Sequence, residues 1–309
     1  MNVLSVFDGI SCRRVALDRA GVDYNTYYAS EIDEYALKIA RKNYPDTVHL
    51  NDARNWRQWE GWLHNIGLVM GGSPCQGFSI SGKRLNFDDP RSKLFFDFVG
   101  ILDLFKPTYF LFENVGSMTN EVRDKISEML GVEPIQINSS LVSGQHRNRY
   151  YWTNIIVDEI EDKNIKFADI LEDDVSFSTT SSIPMKYFYS DRVLDRLDLT
   201  DIKRAGKAGY KKKGYEVEKC PPIVARHYKG MQSQPYPVIR EAKKGSYLMS
   251  KTKHFRKLTP VDCERLQTLP DGYTEGLSDT QRYKCLGNAW TVDVITHIFN
   301  NIMEVNNDG

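Results

Sequence analysis

The chain has 309 residues, of which 41% are hydrophobic and 27% are charged, and its formal net charge is zero. This length and composition predict one large core with a smaller domain attached. The longest apolar runs, such as residues 66–70, are far too short to span a membrane, and the first residues lack the pattern of a signal peptide. The five cysteines are widely spaced and contain no CxxC pair, so we expect a cytoplasmic protein without disulfides and without a bound metal.

In the first half, short apolar runs typical of buried strands alternate with amphipathic stretches typical of helices. Strands are predicted at VLSVF, TYYAS, VHL, IGLVMG, TYFLFE, PIQIN and NRYYWTNIIV, and helices at RRVALDRAG, DEYALKIARKNY, KLFFDFVGILDLF and NEVRDKISEML. Continuous apolar strands in alternation with helices favour a parallel sheet that is covered on both faces. The sequence therefore predicts an α/β fold with a mostly parallel sheet.

This alternation stops between about residues 160 and 253, where Ser, Thr, Gly and Pro are frequent. Helical order returns at KLTPVDCERLQTLP, where Thr259 can cap a helix, Pro260 fits its first turn and Asp262 stands at the capping-box position. The closing TVDVITHIFNNIM is an amphipathic helix. We predict a first domain over residues 1–158, a small irregular inserted module over residues 159–253, and a segment over residues 254–309 that completes the first domain.

The neutral net charge conceals a strong asymmetry. Between Lys203 and Lys257 there are sixteen Lys or Arg residues against three acids, and six aromatic residues are interspersed among them. A basic region with interleaved aromatic residues is typical of a nucleic-acid surface. A solvated lysine-rich surface explains the same composition equally well, so the charge pattern alone leaves both interpretations open.

The first predicted strand runs into FDGIS, and the second ends at Glu31. In open α/β sheets, a glycine turn after the first strand lets a nucleotide approach the backbone, and an acid after the second strand receives ribose hydroxyls. The dinucleotide fingerprint needs three glycines, whereas this turn contains only Gly9, which disfavours NAD. A nucleoside without a pyrophosphate, such as S-adenosylmethionine, needs only the turn, the ribose acid and an adenine contact, for which Asp52 is the candidate.

Cys75 lies in GGSPCQGFSISGKR, a stretch with four glycines and two cations that suits a nucleophile on a moving loop. Activation of carbon 5 of cytosine requires a thiolate that adds to carbon 6, a carboxyl at the ring edge, a cation at the ring oxygen and a methyl donor. Glu113 follows one predicted strand, and Arg147 and Arg149 stand in QHRNR, where alternate positions of an extended segment point the same way. Each residue alone could be structural, but their coincidence at successive strand ends favours cytosine chemistry.

These elements resemble the cytosine-C5 DNA methyltransferases over nearly the whole chain outside the middle module. FDGIS is similar to their motif I, Glu31 in ASEID to motif II and Asp52 to motif III. GGSPCQGFSISGK is similar to motif IV, ENV to motif VI and QHRNR to motif VIII, while RKLTPVDCERLQTLPDGY and GNAWTV resemble motifs IX and X. The resemblance implies a Rossmann-like S-adenosylmethionine-dependent fold with an inserted target-recognition domain.

The resemblance also implies a role for each matched residue. Cys75 is the expected nucleophile, which attacks a cytosine flipped out of duplex DNA. Glu113, Arg147 and Arg149 are expected around the base. S-adenosylmethionine is the expected cofactor, with S-adenosylhomocysteine as product, and the residues expected to contact it are Phe7, Asp8, Gly9, Ile10, Glu31, Ile32, Asp52, Ala53, Pro74, Leu94 and Asn288. Expected DNA contacts are Ser81, Lys83, Arg84, Lys211, Lys212 and Lys213.

Motif I departs from the family pattern because Ser11 replaces a second glycine, as in the animal de novo enzymes, whereas motif IV reads as in bacterial and phage enzymes. We expect a compact bacterial or bacteriophage enzyme, with a restriction endonuclease as a candidate partner. Two alternatives stay open. The first is a tRNA cytosine methyltransferase, whose motif IV tends to read PPCQ, and the second is a DNA-binding regulator without catalytic activity.

Overall fold

The structure is a computed structural model that describes residues 1–73, 93–172, 183–187, 219–225 and 257–302. No helix within those ranges is both long and apolar enough to cross a membrane. The strands are β1 (Asn2–Val6), β2 (Tyr27–Ser30), β3 (Val48–His49), β4 (Ile66–Gly71), β5 (Tyr109–Val115), β6 (Ile135–Asn138) and β7 (Asn148–Thr153). The α-helices are α1 (Cys12–Ala20), α2 (Glu34–Asn43), α3 (Lys93–Phe105), α4 (Asn120–Leu130), α5 (Pro260–Leu266), α6 (Asp279–Asn288) and α7 (Val292–Asn300).

The strands form one sheet in the order β3-β2-β1-β4-β5-β7-β6. The pairs from β3 to β5 are all parallel, whereas β7 runs antiparallel to both β5 and β6. The prediction of a mostly parallel α/β sheet is therefore confirmed. Because the chain continues from β1 to β2 on one side and reaches β4 on the other, the carboxyl ends of β1 and β4 flank a crevice of the kind in which such sheets bind ligands.

The sheet is buried on both faces. Along β1, Val3 belongs to one hydrophobic cluster, whereas Leu4 and Val6 belong to the other. This alternation follows from the two-residue period of a strand. Residues of α1 and α7 pack in the first cluster and residues of α3 and α4 in the second, which explains the continuous apolar strands of the sequence.

Local capping sets several helix ends. The Thr259 hydroxyl accepts a hydrogen bond from the Asp262 amide, and the Asp262 carboxylate accepts one from the Thr259 amide, so the predicted capping box is present with Pro260 in the first turn. Gly21 ends α1 in the left-handed conformation, as its sequence indicates.

Short parts of the predicted middle module pack directly on the sheet domain. Cys220 and Ile223 are fully buried, and the backbone of Cys220 exchanges hydrogen bonds with Gly144 and His146. At Gly287, an added Cβ atom would lie 2.1 Å from the backbone nitrogen of Ala225, so only glycine allows this approach. The division at residues 159 and 253 stays a prediction, and Cys220 and Ile223 of the segment 219–225 belong to the same hydrophobic cluster as α1 and α7.

Candidate active site

The carboxyl end of the sheet brings Glu113 and Arg149 together. Glu113 lies near the end of β5, and Arg149 lies on the antiparallel neighbour β7, where it pairs with Val115. The Arg149 Nε and Glu113 Oε1 atoms are 2.7 Å apart, and the two side chains are 16% and 11% exposed. The pair is therefore largely, but not completely, shielded from solvent.

Gly72 provides the space beside this pair. A Cβ atom built on Gly72 would lie 3.2 Å from Glu113 Oε2 and 2.9 Å from a ring carbon of Trp290. Glycine therefore lets the chain that leads to residue 75 pass against the carboxylate. Pro74 and Cys75 themselves lie outside the described residues, as do Ser81, Lys83 and Arg84 on the same stretch and the lysines at positions 211, 212 and 213.

Arg147 has different surroundings from Arg149. Its guanidinium is buried and donates hydrogen bonds to the carbonyl oxygens of Ile223 (3.1 Å), Ala289 (2.8 Å) and Gly287 (3.4 Å). Arg147 stands just before the first residue of β7. The expectation that Arg147 and Arg149 point the same way assumed that both lie in one strand. Arg147 joins the segment 219–225 to the end of α6, and its contact with a base stays a prediction.

The loop of residues 7–11, which we call the cofactor loop, connects β1 to α1. Gly9 has a φ of 63°, and its amide donates a 2.8 Å hydrogen bond to Glu31 Oε2. Glu31 Oε1 accepts from the amides of Ile32 and Asp33 at 2.7 and 2.8 Å. A carboxylate has about four acceptor sites, so at least one remains for a ribose hydroxyl.

Several features of this crevice fit an adenosyl group. The Ile32 side chain beside Glu31 is 67% exposed and offers an apolar surface to a nucleobase. Phe7 and Leu94 are half-buried, and Asn288, the last residue of α6, is exposed. These side chains are therefore accessible to an adenosyl group, and their contacts with it stay predictions.

Other expected cofactor residues have structural contacts of their own. Ile10 is buried in the core, and its carbonyl accepts a hydrogen bond from the Tyr273 hydroxyl. The Asp52 carboxylate pairs with Arg54, which holds the pKa of Asp52 below its ordinary value, and Ala53 is buried. Asp8 is also buried, within the cofactor loop. A contact of these residues with a cofactor would have to use their backbone or, for Asp52, an exchange of partners.

The four cysteines that the structure describes are buried and free of disulfides. Burial raises the pKa of Cys12 and of Cys285 to about 12, and it also raises the pKa of Cys220 and Cys263. These thiols stay protonated near neutral pH, whereas nucleophilic attack requires a thiolate. None of the four has the surroundings of a nucleophile.

Two residues of this site, Trp290 and Gly72, were missed by the sequence interpretation. Trp290 stands in the GNAWTV motif and Gly72 in MGGSP, so both were within quoted motifs, but nothing local signals that they meet at Glu113.

Within the described ranges, no three His, Cys, Asp or Glu side chains are grouped so that they could hold a metal ion.

Comparison with known proteins identifies the family of the chain. The family model "C-5 cytosine-specific DNA methylase" matches residues 1–133 and 135–304. The chain is 28% identical to the type II methyltransferase M1.ScrFI of Lactococcus lactis subsp. cremoris, over 98% of this chain and 78% of the relative. It is 27% identical to the type II methyltransferase M.HpaII of Haemophilus parainfluenzae, over 97% of this chain and 88% of the relative.

The fold is also that of solved methyltransferases. The Entamoeba histolytica methyltransferase EhMeth superposes with a TM-score of 0.72 at 20% identity, over 99% of this chain and 98% of the other. At that identity the likeness concerns the fold, whereas the family match extends along nearly the entire sequence. The chain therefore belongs to the C-5 cytosine-specific DNA methylase family and is a DNA (cytosine-5)-methyltransferase.

Proposed function

We propose that this enzyme transfers the methyl group of S-adenosylmethionine to carbon 5 of a cytosine flipped out of duplex DNA, through a covalent adduct with Cys75. The observation that carries the proposal is the Glu113–Arg149 pair beside Gly72, at the carboxyl end of the sheet. Cys75 follows Gly72 by three residues, so the chain can bring its thiol to a base held by this pair.

Glu113 is the group that would hold the ring edge. Within the described part of the chain, the partner of its carboxylate is Arg149, whose Nε forms an ion pair with Oε1. Oε2, next to Gly72, is therefore available to accept a hydrogen bond from the amino group of the base, and when the carboxyl is protonated it would donate to N3, which is an acceptor in cytosine. Arg149 would donate to the ring oxygen while it keeps Glu113 in place.

The reaction then proceeds in two stages. The Cys75 thiolate adds to carbon 6, and the electron pair displaced to carbon 5 forms the bond to the incoming methyl group. A base then removes the proton from carbon 5, and the bond to sulfur breaks as the double bond returns. S-adenosylmethionine, when bound, supplies the electrophilic methyl group, and S-adenosylhomocysteine remains as product.

Binding of that cofactor is assigned to the crevice between β1, β2 and β4. Glu31 would receive the ribose hydroxyls, because it retains acceptor capacity beside the glycine turn. Ile32 would pack on the adenine with its exposed side chain. Phe7, Leu94 and Asn288 are proposed to complete the contacts.

We also propose that the lysine-rich middle module binds the DNA, together with Ser81, Lys83 and Arg84. The sixteen-to-three excess of basic over acidic residues between Lys203 and Lys257 supports contact with phosphates. Because the two relatives are named type II methyltransferases, a cognate restriction endonuclease is a candidate partner, and the bacterial cytoplasm is the proposed location.

Duplex DNA that carries 5-fluorocytosine in the recognition site tests the proposal. Fluorine cannot leave carbon 5 as a cation, so with S-adenosylmethionine the wild type should form a complex that survives denaturing electrophoresis. Cys75→Ser should form none, because a serine hydroxyl is a weak nucleophile without a paired base. The matched control Cys285→Ser removes a buried thiol and should react as the wild type does.

The alternatives give different results in the same experiment. Trapping by fluorinated tRNA and not by DNA would show that tRNA is the substrate, and the proposed mechanism through Cys75 would be kept. An enzyme that forms no adduct with either substrate and transfers no methyl group would be a regulator without catalytic activity. Adduct formation by Cys75→Ser would show that another cysteine is the nucleophile.

A further inference from the structure

The cofactor loop is held by a buried carboxylate. Asp8 accepts hydrogen bonds from the hydroxyls of Ser5 (2.5 Å), Tyr27 (2.7 Å) and Ser11 (2.6 Å). Ser11, which stands where the family pattern has glycine, has a φ of 61°, and Phe7 has a φ of 57°. Non-glycine residues keep this conformation only where the surrounding contacts enforce it. The Asp8 network supplies such contacts at Ser11.

Arg13, the second residue of α1, also binds this network. Its guanidinium is buried and donates to the Ser5 hydroxyl at 2.8 Å and to the carbonyl oxygens of Val6 at 2.9 Å and Phe7 at 3.2 Å. Arginine stays charged when it is buried, so this position needs compensating contacts. The carbonyls of Val6, the last residue of β1, and of Phe7, the first residue of the cofactor loop, provide them. The Nε of Arg13 has no hydrogen-bond partner among the described residues.

The face of the same guanidinium lies on Trp290. The Arg13 Cζ atom is 4.0 Å from the centre of the Trp290 ring, within the range of a cation–π contact. Another part of the indole lies against Gly72, next to Glu113 Oε2. Trp290 is buried and follows Ala289, whose carbonyl is bound by Arg147 and Gln267. One rigid side chain thus lies between the cofactor loop and the proposed base-binding carboxylate.

We propose that Arg13 and Trp290 are a positioning pair that ties the cofactor loop to Glu113 and so fixes the methyl donor relative to the base. This inference rests on the proposed function, since it assigns a role in the same reaction. Neither residue needs to touch the reacting atoms. Arg13 holds the backbone of residues 6 and 7, and the indole transmits that position to the end of β4 and to Glu113.

Paired variants separate positioning from folding. Trp290→Phe keeps an aromatic face for the guanidinium, whereas Trp290→Leu keeps bulk without that face. Arg13→Lys keeps the charge but loses the fork that binds two carbonyls. The matched control is Arg14→Lys: Arg14 is also buried on α1, but it binds Tyr24, Asp46 and Thr47, away from the site.

Three quantities are measured for each variant: the thermal unfolding midpoint, the calorimetric Kd for S-adenosylhomocysteine, and the rate of adduct formation with 5-fluorocytosine duplex at saturating S-adenosylmethionine. For Arg13→Lys and Trp290→Leu we expect the Kd to rise and the adduct rate to fall, each by about tenfold or more, because charge-assisted and cation–π contacts are lost. Trp290→Phe, which keeps an aromatic face but not the full span of the indole, should be less impaired than Trp290→Leu. Arg14→Lys should lower the midpoint while Kd and rate are kept.

The inference is overturned if Trp290→Leu and Arg13→Lys lower the midpoint as Arg14→Lys does but keep the wild-type Kd and adduct rate. It is also overturned if Trp290→Phe is as impaired as Trp290→Leu. If Arg13→Lys does not fold, the two Trp290 variants decide the question alone. Failure of the wild type to form an adduct would instead contradict the proposed function, so the two failures are distinguishable.

Discussion

Two carboxylate–arginine pairs of nearly equal length have opposite surroundings. Glu113 and Arg149 are 2.7 Å apart at the end of the sheet, and Glu264 and Arg282 are 2.8 Å apart between α5 and α6. The Glu264 side chain is fully buried, and both of its oxygens are used: it accepts from the Gly272 amide, from the Thr274 amide and hydroxyl, and from Arg282. The Glu113 carboxylate has only its ion pair with Arg149, within the part of the chain that the structure describes.

The difference shows how the same pair of residue types can serve folding or catalysis. A buried carboxylate with every acceptor site filled has nothing left for a substrate, and its loss leaves an unpaired charge in the core. A carboxylate with one open oxygen beside a glycine can take a new donor without losing its arginine. We therefore assign Glu264 to stability and Glu113 to the reaction, and variants of these residues test the distinction.

The largest effect is expected for Glu113→Gln. The substitution keeps the shape of the side chain but removes the acid, so we expect the rate of methyl transfer to fall by about 10²- to 10⁴-fold. Single-turnover transfer to duplex DNA measures it, and circular dichroism should show a folded protein. A rate within tenfold of the wild type would remove Glu113 from the mechanism.

Glu264→Gln should act on stability instead. Removal of one partner leaves the Arg282 charge unpaired beside a buried site, which costs about 3–5 kcal/mol of the free energy of unfolding. Urea titration measures this loss, and the turnover of the molecules that remain folded should be unchanged. If Glu264→Gln lowered the free energy of unfolding by less than Glu113→Gln does, the contrast between the two pairs would be wrong.

Glu31 shares a feature with each of these carboxylates. Like Glu264 it accepts from backbone amides, three in number, and like Glu113 it keeps acceptor capacity for a ligand. Glu31→Ala should weaken cofactor binding by about 1.5–3 kcal/mol, roughly ten- to a hundredfold, through the loss of charge-assisted hydrogen bonds. Calorimetry with S-adenosylhomocysteine measures the affinity, and Asp52→Asn serves as a second carboxylate variant. An unaltered Kd for Glu31→Ala would exclude Glu31 as the ribose acceptor.

The smallest effect is expected for the exposed pair of Arg265 and Asp271, 2.6 Å apart. Arg265 holds the pKa of Asp271 below its ordinary value. The stabilisation is therefore present above the unfolded pKa of about 3.9 and is lost as the pH falls through the lower folded pKa. Asp271→Asn should cost about 0.2–1 kcal/mol at pH 7, and this difference should vanish in acid. Urea titrations at both pH values check it, and a difference that grows in acid would contradict the sign.

Much of the fold could be predicted because its signals are local. The alternation of strands and helices, the capping box of Thr259 and Asp262, and the glycine end of α1 depend on residues within a turn of each other. The site could be predicted in part, because Glu113 stands near the end of one strand and Arg149 near the start of another, and these ends meet at one edge since β7 runs antiparallel to β5. Long-range packing carries no such local signal.

The sequence by itself determined the α/β class, the family resemblance and the residue types that cytosine chemistry needs. Only the tertiary structure decided which arginine meets Glu113, since Arg147 and Arg149 are equivalent in QHRNR but one binds backbone carbonyls and the other binds the carboxylate. It also decided that Trp290 lies between Arg13 and Gly72. The physical reason is that periodicity and capping act between neighbours in sequence, whereas the partner of a buried charge is set by which distant segments pack against it.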